Sequence, residues 1–98
     1  MANRAWRDIV ADVLELAKIP TNKTTIMFKC VLSYDLLREY LALTQDAGLL
    51  KYDPLSRQYQ TTDKGLEYLK LFGAISDLVN RKNMVLDQSA SFKKGYVN

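Results

Sequence analysis

The sequence predicts a mainly α-helical protein with one small β-hairpin and a long C-terminal helix. Apolar residues recur at helical spacing in three segments before Gly48. Two short segments rich in Leu, Tyr and Thr then flank a Pro-containing turn, and a last helical pattern continues to about residue 86. Because the chain has 98 residues, 48% of them hydrophobic, we expect one modest core and no second globular domain.

The first two predicted helices are amphipathic and are separated by a polar break. Residues 4–18 carry apolar residues on one side and charged residues on the other, which predicts a helix. The next apolar stretch, KTTIMFKC, is only about two turns long and predicts a short second helix. Thr24 and Thr25 are alternative caps for this helix. Its core anchors are among Ile26, Met27 and Phe28.

The third predicted helix spans residues 33–47 and begins at a serine. The Ser33 hydroxyl can accept a hydrogen bond from a free backbone amide at the helix start, so this residue separates the second helix from the third. Gly48 follows the last apolar residue, where a left-handed C-terminal cap is expected. The inward side of the helix is formed by Leu37, Tyr40, Leu41 and Thr44.

A hairpin and a long helix complete the predicted order of elements. The segments LLKYD and QYQTT flank the turn PLSR, which predicts a two-stranded wing over residues 49–62. Tyr52 and Tyr59 are expected to pack against each other across the strands. Thr62 is the expected N-cap of the last helix, and Asp63 suits the positive end of its dipole.

This order of elements is that of a winged helix-turn-helix, in which the third helix enters the DNA major groove and the hairpin approaches the phosphates. Three motifs in the sequence, KTTIMFKCVLSY, GLL and YQTTDKG, resemble those of an archaeal winged-helix family. The resemblance covers about residues 5–85. That family includes small predicted transcription regulators and ten-kilodalton chromatin proteins whose last helix forms an antiparallel coiled-coil dimer. The resemblance therefore implies binding to double-stranded DNA and dimerisation.

The candidate DNA contacts are cations, hydroxyls and one aromatic ring on the second helix, the third helix and the wing. They are Lys23, Thr24, Lys29, Tyr34, Arg38, Lys51 and Arg57. Arg38 can donate two hydrogen bonds to guanine or to a phosphate, and Arg57 near the wing tip can reach a phosphate or the minor groove. The alternative is that these are ordinary surface side chains. Asp35 suits the helix dipole better than a phosphate contact.

The last helix carries an apolar stripe that one small core cannot cover. The predicted dimerisation residues on this stripe are Phe72, Ile75, Leu78, Val79 and Leu86. Residues 1–72 form the expected domain, residues 73–87 the projecting part of the dimerisation helix, and residues 88–98, which lose periodicity, a disordered tail. The alternative is a monomer in which Gly73 lets the helix bend back on its own domain.

Composition excludes several classes of chemistry. The chain has no His and one Cys, Cys30, so we expect no disulfide, no zinc site, no cofactor and no catalysis by Ser/His or Cys/His pairs. Cys30 lies in an apolar context and is expected to be a buried free thiol. No segment is apolar for long enough to span a bilayer. The net charge of +3 is compatible with DNA binding but also with many other soluble proteins. We expect a cytoplasmic, nucleoid-associated protein without enzymatic activity.

A winged helix-turn-helix domain is compatible with three alternative functions. The first is a dimeric transcription regulator that reads the major groove with residues 33–47 and contacts phosphates with the wing, residues 49–62. The second is a chromatin protein that binds duplex DNA with little sequence preference. The third is a protein-docking module, since winged helices also serve this role. The first two differ in the ratio of specific to nonspecific affinity.

Overall fold

The structure, a computed structural model, describes residues 4–90, and its side chains are described as far as residue 78. Four helices and a two-stranded antiparallel sheet follow one another in the predicted order. The elements are α1 Trp6–Leu16, α2 Lys23–Lys29, α3 Tyr34–Asp46, β1 Leu50–Asp53, β2 Gln58–Thr61 and α4 Asp63–Ala90. The predicted fold, a mainly α winged helix-turn-helix with a long C-terminal helix, is confirmed.

The core is centred on α1. Val13 and Leu14 are completely buried there, and Ile26 of α2, Leu37 of α3 and Leu50 of β1 pack into the same apolar cluster. Every element up to the wing therefore contributes side chains to one core. Removing this apolar surface from water, at about 25 cal/mol per Å², is the main stabilising term for so small a domain.

Side-chain caps set the boundaries of α2 and α3. The Leu36 amide donates to Ser33 Oγ at 3.2 Å, which confirms Ser33 as the N-cap of α3. At α2 the prediction of a Thr24 or Thr25 cap is wrong, because the Thr25 amide donates to Asn22 Oδ1 at 2.9 Å. An Asx side chain one residue before the helix can reach the amide three residues on, which frees both threonine side chains.

Only part of the apolar stretch in α2 enters the core. Ile26 is fully buried and Met27 is partly buried against the cluster. Phe28 is 72% exposed, although it belongs to the same apolar run. A helix of 7 residues turns only one side toward the core, so three consecutive apolar residues cannot all be anchors. Ile26 is the anchor of this helix.

The wing has a third backbone partner that the sequence does not reveal. Tyr52 pairs with Tyr59 and Leu50 with Thr61 across the hairpin. Thr21 in the α1–α2 connection forms an isolated bridge to Tyr59, with N–O distances of 3.0 and 2.7 Å in the two directions. A single bridging residue has no period-two pattern, so no sequence signal marks it. The bridge places the start of α2 beside the wing.

The sequence TDKG joins the wing to both neighbouring helices. The Thr62 hydroxyl accepts from the Gly65 amide at 3.1 Å, which confirms Thr62 as the N-cap of α4, and donates to the Gly48 carbonyl at 2.7 Å. Lys64 Nζ donates to the Ala47 carbonyl at 2.7 Å at the end of α3. Gly48 has the expected left-handed conformation, with φ 77°. This short motif thus provides hydrogen-bond partners for backbone groups at the end of α3 and at the start of α4.

Helix α4 first packs on the domain and then exposes apolar side chains. Tyr68 and Leu69 pack against the core, and Tyr68 Oη donates to the Arg7 carbonyl at 3.0 Å. Farther along, Ile75 and Leu78 are each 63% exposed. Within residues 4–90 no helix is both long and apolar enough to cross a membrane.

The end of α4 differs from the predicted boundary at residue 87. The helix continues to Ala90, so residues 88–90 are helical, and the rest of the predicted tail, residues 91–98, lies outside the described residues. Residues 87–90 contain neither Gly nor Pro, so the sequence has no helix breaker at the predicted end. Val79 and Leu86, two of the predicted dimerisation residues, lie beyond the last described side chain.

Candidate nucleic-acid interface

The exposed side of α3 presents Tyr34 and Arg38 one helical turn apart. Arg38 Cζ lies 5.9 Å from the centroid of the Tyr34 ring, within cation–π range. On the opposite side Leu37, Leu41 and Thr44 are buried, as the helical period predicts. Among the described residues no hydrogen bond engages the guanidinium of Arg38 or the hydroxyl of Tyr34. The pair therefore presents a cation and a hydroxyl to a ligand.

An open groove of about 670 Å³ connects α3 with the wing and the start of α2. Its lining includes Lys23, Tyr34 and Arg38 of the predicted contacts, together with Tyr59 of the wing. Asp35 and Glu39 also line it, so the two cations face two carboxylates. The groove therefore carries both positive and negative charges. Carboxylates repel phosphates but can accept a hydrogen bond from cytosine N4.

A second cleft, of about 380 Å³, lies between the start of α2 and the wing. Three of the predicted contacts, Lys23, Thr24 and Arg57, line it together with Tyr52 and Tyr59. Lys23 borders both the cleft and the groove on α3. The two depressions therefore form one continuous surface, which we call the α3–wing face. It joins five of the seven predicted contacts.

Tyr59 also belongs to this face, although it is not among the contacts predicted from the sequence. The predicted packing with Tyr52 is confirmed, since the ring centroids are 4.6 Å apart. The same side chain also lines both depressions. Burial, with a smaller effect of Tyr52, raises the pKa of Tyr59, so its hydroxyl stays protonated and can donate a hydrogen bond at neutral pH. Alternation in β2 signals which side of the strand it occupies, but not what lies beside it.

The other two predicted contacts, Lys51 and Lys29, do not line either depression. Lys51 alternates with Tyr52 along β1 and borders separate depressions with Pro20 and with Lys64. It therefore lies on the opposite side of the hairpin from the tyrosine pair. Lys29 is exposed in the last turn of α2. Both cations are exposed and lie outside the α3–wing face.

Side-chain hydrogen bonds order the tip of the wing. Asp53 Oδ1 accepts from the Leu55 amide and Asp53 Oδ2 from Ser56 Oγ, each at 3.0 Å. The Arg57 amide donates to the Asp53 carbonyl at 2.7 Å, and Arg57 has a left-handed φ of 58°. An Asp that bonds to amides on its C-terminal side closes a turn in this way. The turn thereby sets the position from which the Arg57 side chain leaves the wing.

The corner between α2 and α3 is braced by Arg4, which is not among the candidate residues predicted from the sequence. Val31 has a left-handed φ of 55°. Arg4 Nη2 donates to the carbonyls of Cys30 at 2.7 Å and Val31 at 3.1 Å, while Arg4 Nη1 binds Asp12 Oδ2 at 3.0 Å. The guanidinium thus links α1 to the helix-turn-helix corner across 26 residues of chain. No local sequence pattern signals such a long-range contact.

Cys30 at the same corner is a buried free thiol, as predicted. Burial and the nearby Asp12 carboxylate raise its pKa, and the Arg4 guanidinium partly opposes this. The thiolate, which is the nucleophile and the metal ligand, is therefore disfavoured. Among the residues that the structure describes, no three His, Cys, Asp or Glu side chains group so that they could hold a metal ion.

The chain resembles known proteins in sequence profile and in structure. The profile of a family described as winged helix-turn-helix matches residues 3–80. The structure is similar to that of Sso10a-2, a DNA-binding protein from Sulfolobus solfataricus, with a TM-score of 0.74 and 15% sequence identity over 95% of this chain and 100% of that one. No curated protein matches the sequence significantly. On the profile match, which covers most of its length, the chain belongs to the winged helix-turn-helix family.

Proposed function

We propose that the protein binds double-stranded DNA as a homodimer and regulates transcription, without enzymatic activity, at the nucleoid in the cytoplasm. The observation that carries the proposal is the α3–wing face, where Arg38, Lys23 and Arg57 border one continuous surface. Helix-turn-helix proteins use these elements to reach a duplex. The similarity of the fold to that of Sso10a-2, described as a DNA-binding protein, also supports it.

In this proposal α3 enters the major groove and reads bases. Arg38 donates two hydrogen bonds to guanine, and the Tyr34 ring beneath it limits the entropy lost on binding. Asp35 and Glu39, which line the same groove, disfavour phosphate there and favour base edges that can donate. Because of these two carboxylates, we favour sequence-specific DNA binding over nonspecific DNA binding.

The start of α2 and the wing hold the DNA backbone in the proposed complex. Lys23 and Thr24 contact phosphates from α2, and Arg57 contacts phosphates or the minor groove from the wing tip. Tyr59 donates its hydroxyl to a phosphate between these two cations. Lys29 and Lys51, which lie off the α3–wing face, attract the duplex at longer range.

Dimerisation through α4 completes the proposal. The side chains of Leu71, Ile75 and Leu78 are exposed in the single chain, which supports dimerisation. A contiguous apolar surface of this kind on a helix is typical of a protein–protein interface. Phe72, which is half-buried, borders this stripe, and Val79 and Leu86 extend it by sequence spacing alone. A dimer would place two α3 helices on one duplex and roughly double the phosphate contacts.

A chromatin protein with little sequence preference is the second candidate. The observation that favours it is that α3, from Tyr34 to Asp46, carries only one cation, Arg38. A DNA-binding protein that makes few base contacts discriminates weakly between DNA sequences. The two candidates share the α3–wing face and differ in their ratio of specific to nonspecific affinity.

Duplex binding is tested by fluorescence anisotropy of random-sequence DNA at several salt concentrations. We expect affinity to fall steeply with salt, since each phosphate contact releases counterions. Arg57→Ala should lower the slope of log K against log salt by about 1. Lys70→Ala is the matched control, because Lys70 is an exposed cation on α4 that lines neither depression, and it should leave the slope unchanged.

The same titration separates the alternatives. Arg38→Ala should cost about 1–3 kcal/mol on a selected site and less on random DNA if Arg38 reads a base. Equal losses on both would favour the chromatin role. No binding by the wild-type protein even at low salt would overturn DNA binding and favour a protein-docking role.

A further inference from the structure

The tip of the wing carries an apolar side chain that neither the core nor the proposed contacts use. Leu55 is 95% exposed, more than any other large hydrophobic residue whose side chain the structure describes. It lies outside the hydrophobic core cluster. Single exposed hydrophobic residues are common on proteins and need no function by themselves. Leu55 differs from such residues in its backbone support and in its position.

The backbone around Leu55 is held in place. The Leu55 amide donates to Asp53 Oδ1 at 3.0 Å, and the turn is closed by the 2.7 Å bond from the Arg57 amide to the Asp53 carbonyl. Pro54, with a restricted φ, precedes Leu55. An apolar side chain at the end of a braced hairpin loses little backbone entropy when it is inserted into a partner.

The charges around Leu55 suit a polyanion. Arg57 lies two residues away, with its side chain bordering the cleft that leads to Lys23. Asp53 is the only acid in the turn, and both of its carboxylate oxygens already accept hydrogen bonds from Leu55 and Ser56. The negative charge of the turn is thereby engaged in hydrogen bonds within it, while the Leu55 side chain is exposed and Arg57 borders the cleft.

We propose that the wing tip is an apolar wedge, in which Leu55 enters the DNA minor groove and partly opens one base step. The inference rests on the proposed DNA binding and adds a deformation of the duplex to it. With α3 in the major groove, the wing reaches the adjacent minor groove, where Leu is among the residues that unstack base steps. Arg57 then holds a phosphate beside the opened step. The cost of unstacking is lowest at pyrimidine–purine steps, so the wedge selects flexible sequences.

The wedge is tested with duplexes that carry 2-aminopurine beside a central TA step and a fluorophore pair at their ends. Unstacking raises the 2-aminopurine fluorescence, and bending raises energy transfer between the ends. With saturating wild-type protein we expect both signals to rise. Leu55→Ser should lose most of both increases, and Leu55→Met, which keeps an apolar side chain able to wedge, should restore them.

Affinity and stability measurements separate the wedge from a charge effect or a folding effect. Leu55→Ser should weaken binding about five-fold, because the gain from burying a leucine is partly offset by unstacking. The salt slope should not change, in contrast with Arg57→Ala. The melting temperature should stay the same, since Leu55 is almost fully exposed in the free protein.

Two results overturn the inference, and they differ in what they say about DNA binding. Equal fluorescence and energy-transfer signals with wild-type and Leu55→Ser protein, both bound at saturation, would remove the wedge and leave the proposed function intact. No binding of the duplex by the wild-type protein at low salt would overturn the proposed function and the wedge with it.

Discussion

Val31 at the corner between α2 and α3 and Arg57 in the turn of the wing hold left-handed backbone conformations. Such a conformation is costly for a residue with a Cβ, and most of all for a β-branched one. At Val31 the adjoining carbonyls accept from Arg4, and the Leu32 amide donates to the Met27 carbonyl at 2.9 Å. These bonds offset the strain. The direction in which α3 leaves the corner thus depends on one residue conformation and on one arginine from before α1.

A glycine at position 31 should stabilise the protein. Val31→Gly removes the left-handed strain, and the side chain lost is 79% exposed, so the free energy of unfolding should rise by about 1 kcal/mol. Chemical denaturation measures this change. Val31→Ala is the matched control, because it removes the branched side chain but keeps a Cβ. A rise with Ala equal to that with Gly would place the effect in the side chain and not in the backbone conformation.

At the scale of elements, the junction between the wing and α4 depends on close backbone approach. A Cβ on Gly65 would collide with the Leu49 carbonyl oxygen and the Thr61 methyl group. Thr61 in turn donates from its hydroxyl to the Leu14 carbonyl at 2.6 Å and from its amide to the Ala17 carbonyl at 2.9 Å. The wing, α1 and α4 therefore meet at one tightly packed point.

Gly65→Ala should destabilise the protein strongly. Because the obstacle includes backbone, the helix or the wing must move, and a loss of about 3 kcal/mol or more is expected in the free energy of unfolding. Gly73→Ala is the control in the same helix: nothing lies within 4 Å of its added Cβ, and helix propensity predicts a gain of about 1 kcal/mol. Thermal unfolding of both variants measures the contrast. Similar melting temperatures would contradict the packing at Gly65.

At the scale of the whole molecule, α4 extends the protein well beyond its core. The principal extents are 57 × 28 × 19 Å, and the helix has 28 residues, about 42 Å at 1.5 Å per residue. Isolated helices gain little stability from propensity alone and depend on packing of an apolar face. The outer part of α4 exposes Ile75 and Leu78 to water in the single chain. A second copy packed along this stripe would remove that exposure.

If the proposed dimer forms through this stripe, charges placed on it should separate the two chains. Ile75→Glu together with Val79→Glu should give a mass of one chain by light scattering, because two buried carboxylates without partners cost more than the interface gains. Lys70→Glu makes the same change in net charge on the other side of α4 by helical spacing, and it should leave the dimer intact. A mass of two chains for the double variant would place the interface elsewhere.

Much of the fold was predictable because its determinants are local. Helical spacing identified the inward side of α3, Ser33 and Thr62 marked helix starts, and Gly48 marked a helix end. The cap of α2 was predicted wrongly as Thr24 or Thr25, although Asn22, which precedes both threonines, belongs to a residue type that caps helices more strongly than Thr.

The α3–wing face was predictable only in part. Arg38 and Arg57 could be selected by their type and their place in an element. Tyr59 was missed as part of the face because its role follows from the bridge to Thr21, far away in sequence. Lys51 is a predicted DNA contact because it is a cation in the wing, although the alternation of side chains along β1 turns it away from the side that carries Tyr52.

The sequence by itself determined the order of the elements, the ends of most helices and the excess of apolar surface on α4, because each follows from interactions between residues close in the chain. Only the tertiary structure decided which cations share one surface, how Arg4 braces Val31 and why Gly65 tolerates no side chain. These features depend on contacts between distant segments, whose geometry is set when the core packs.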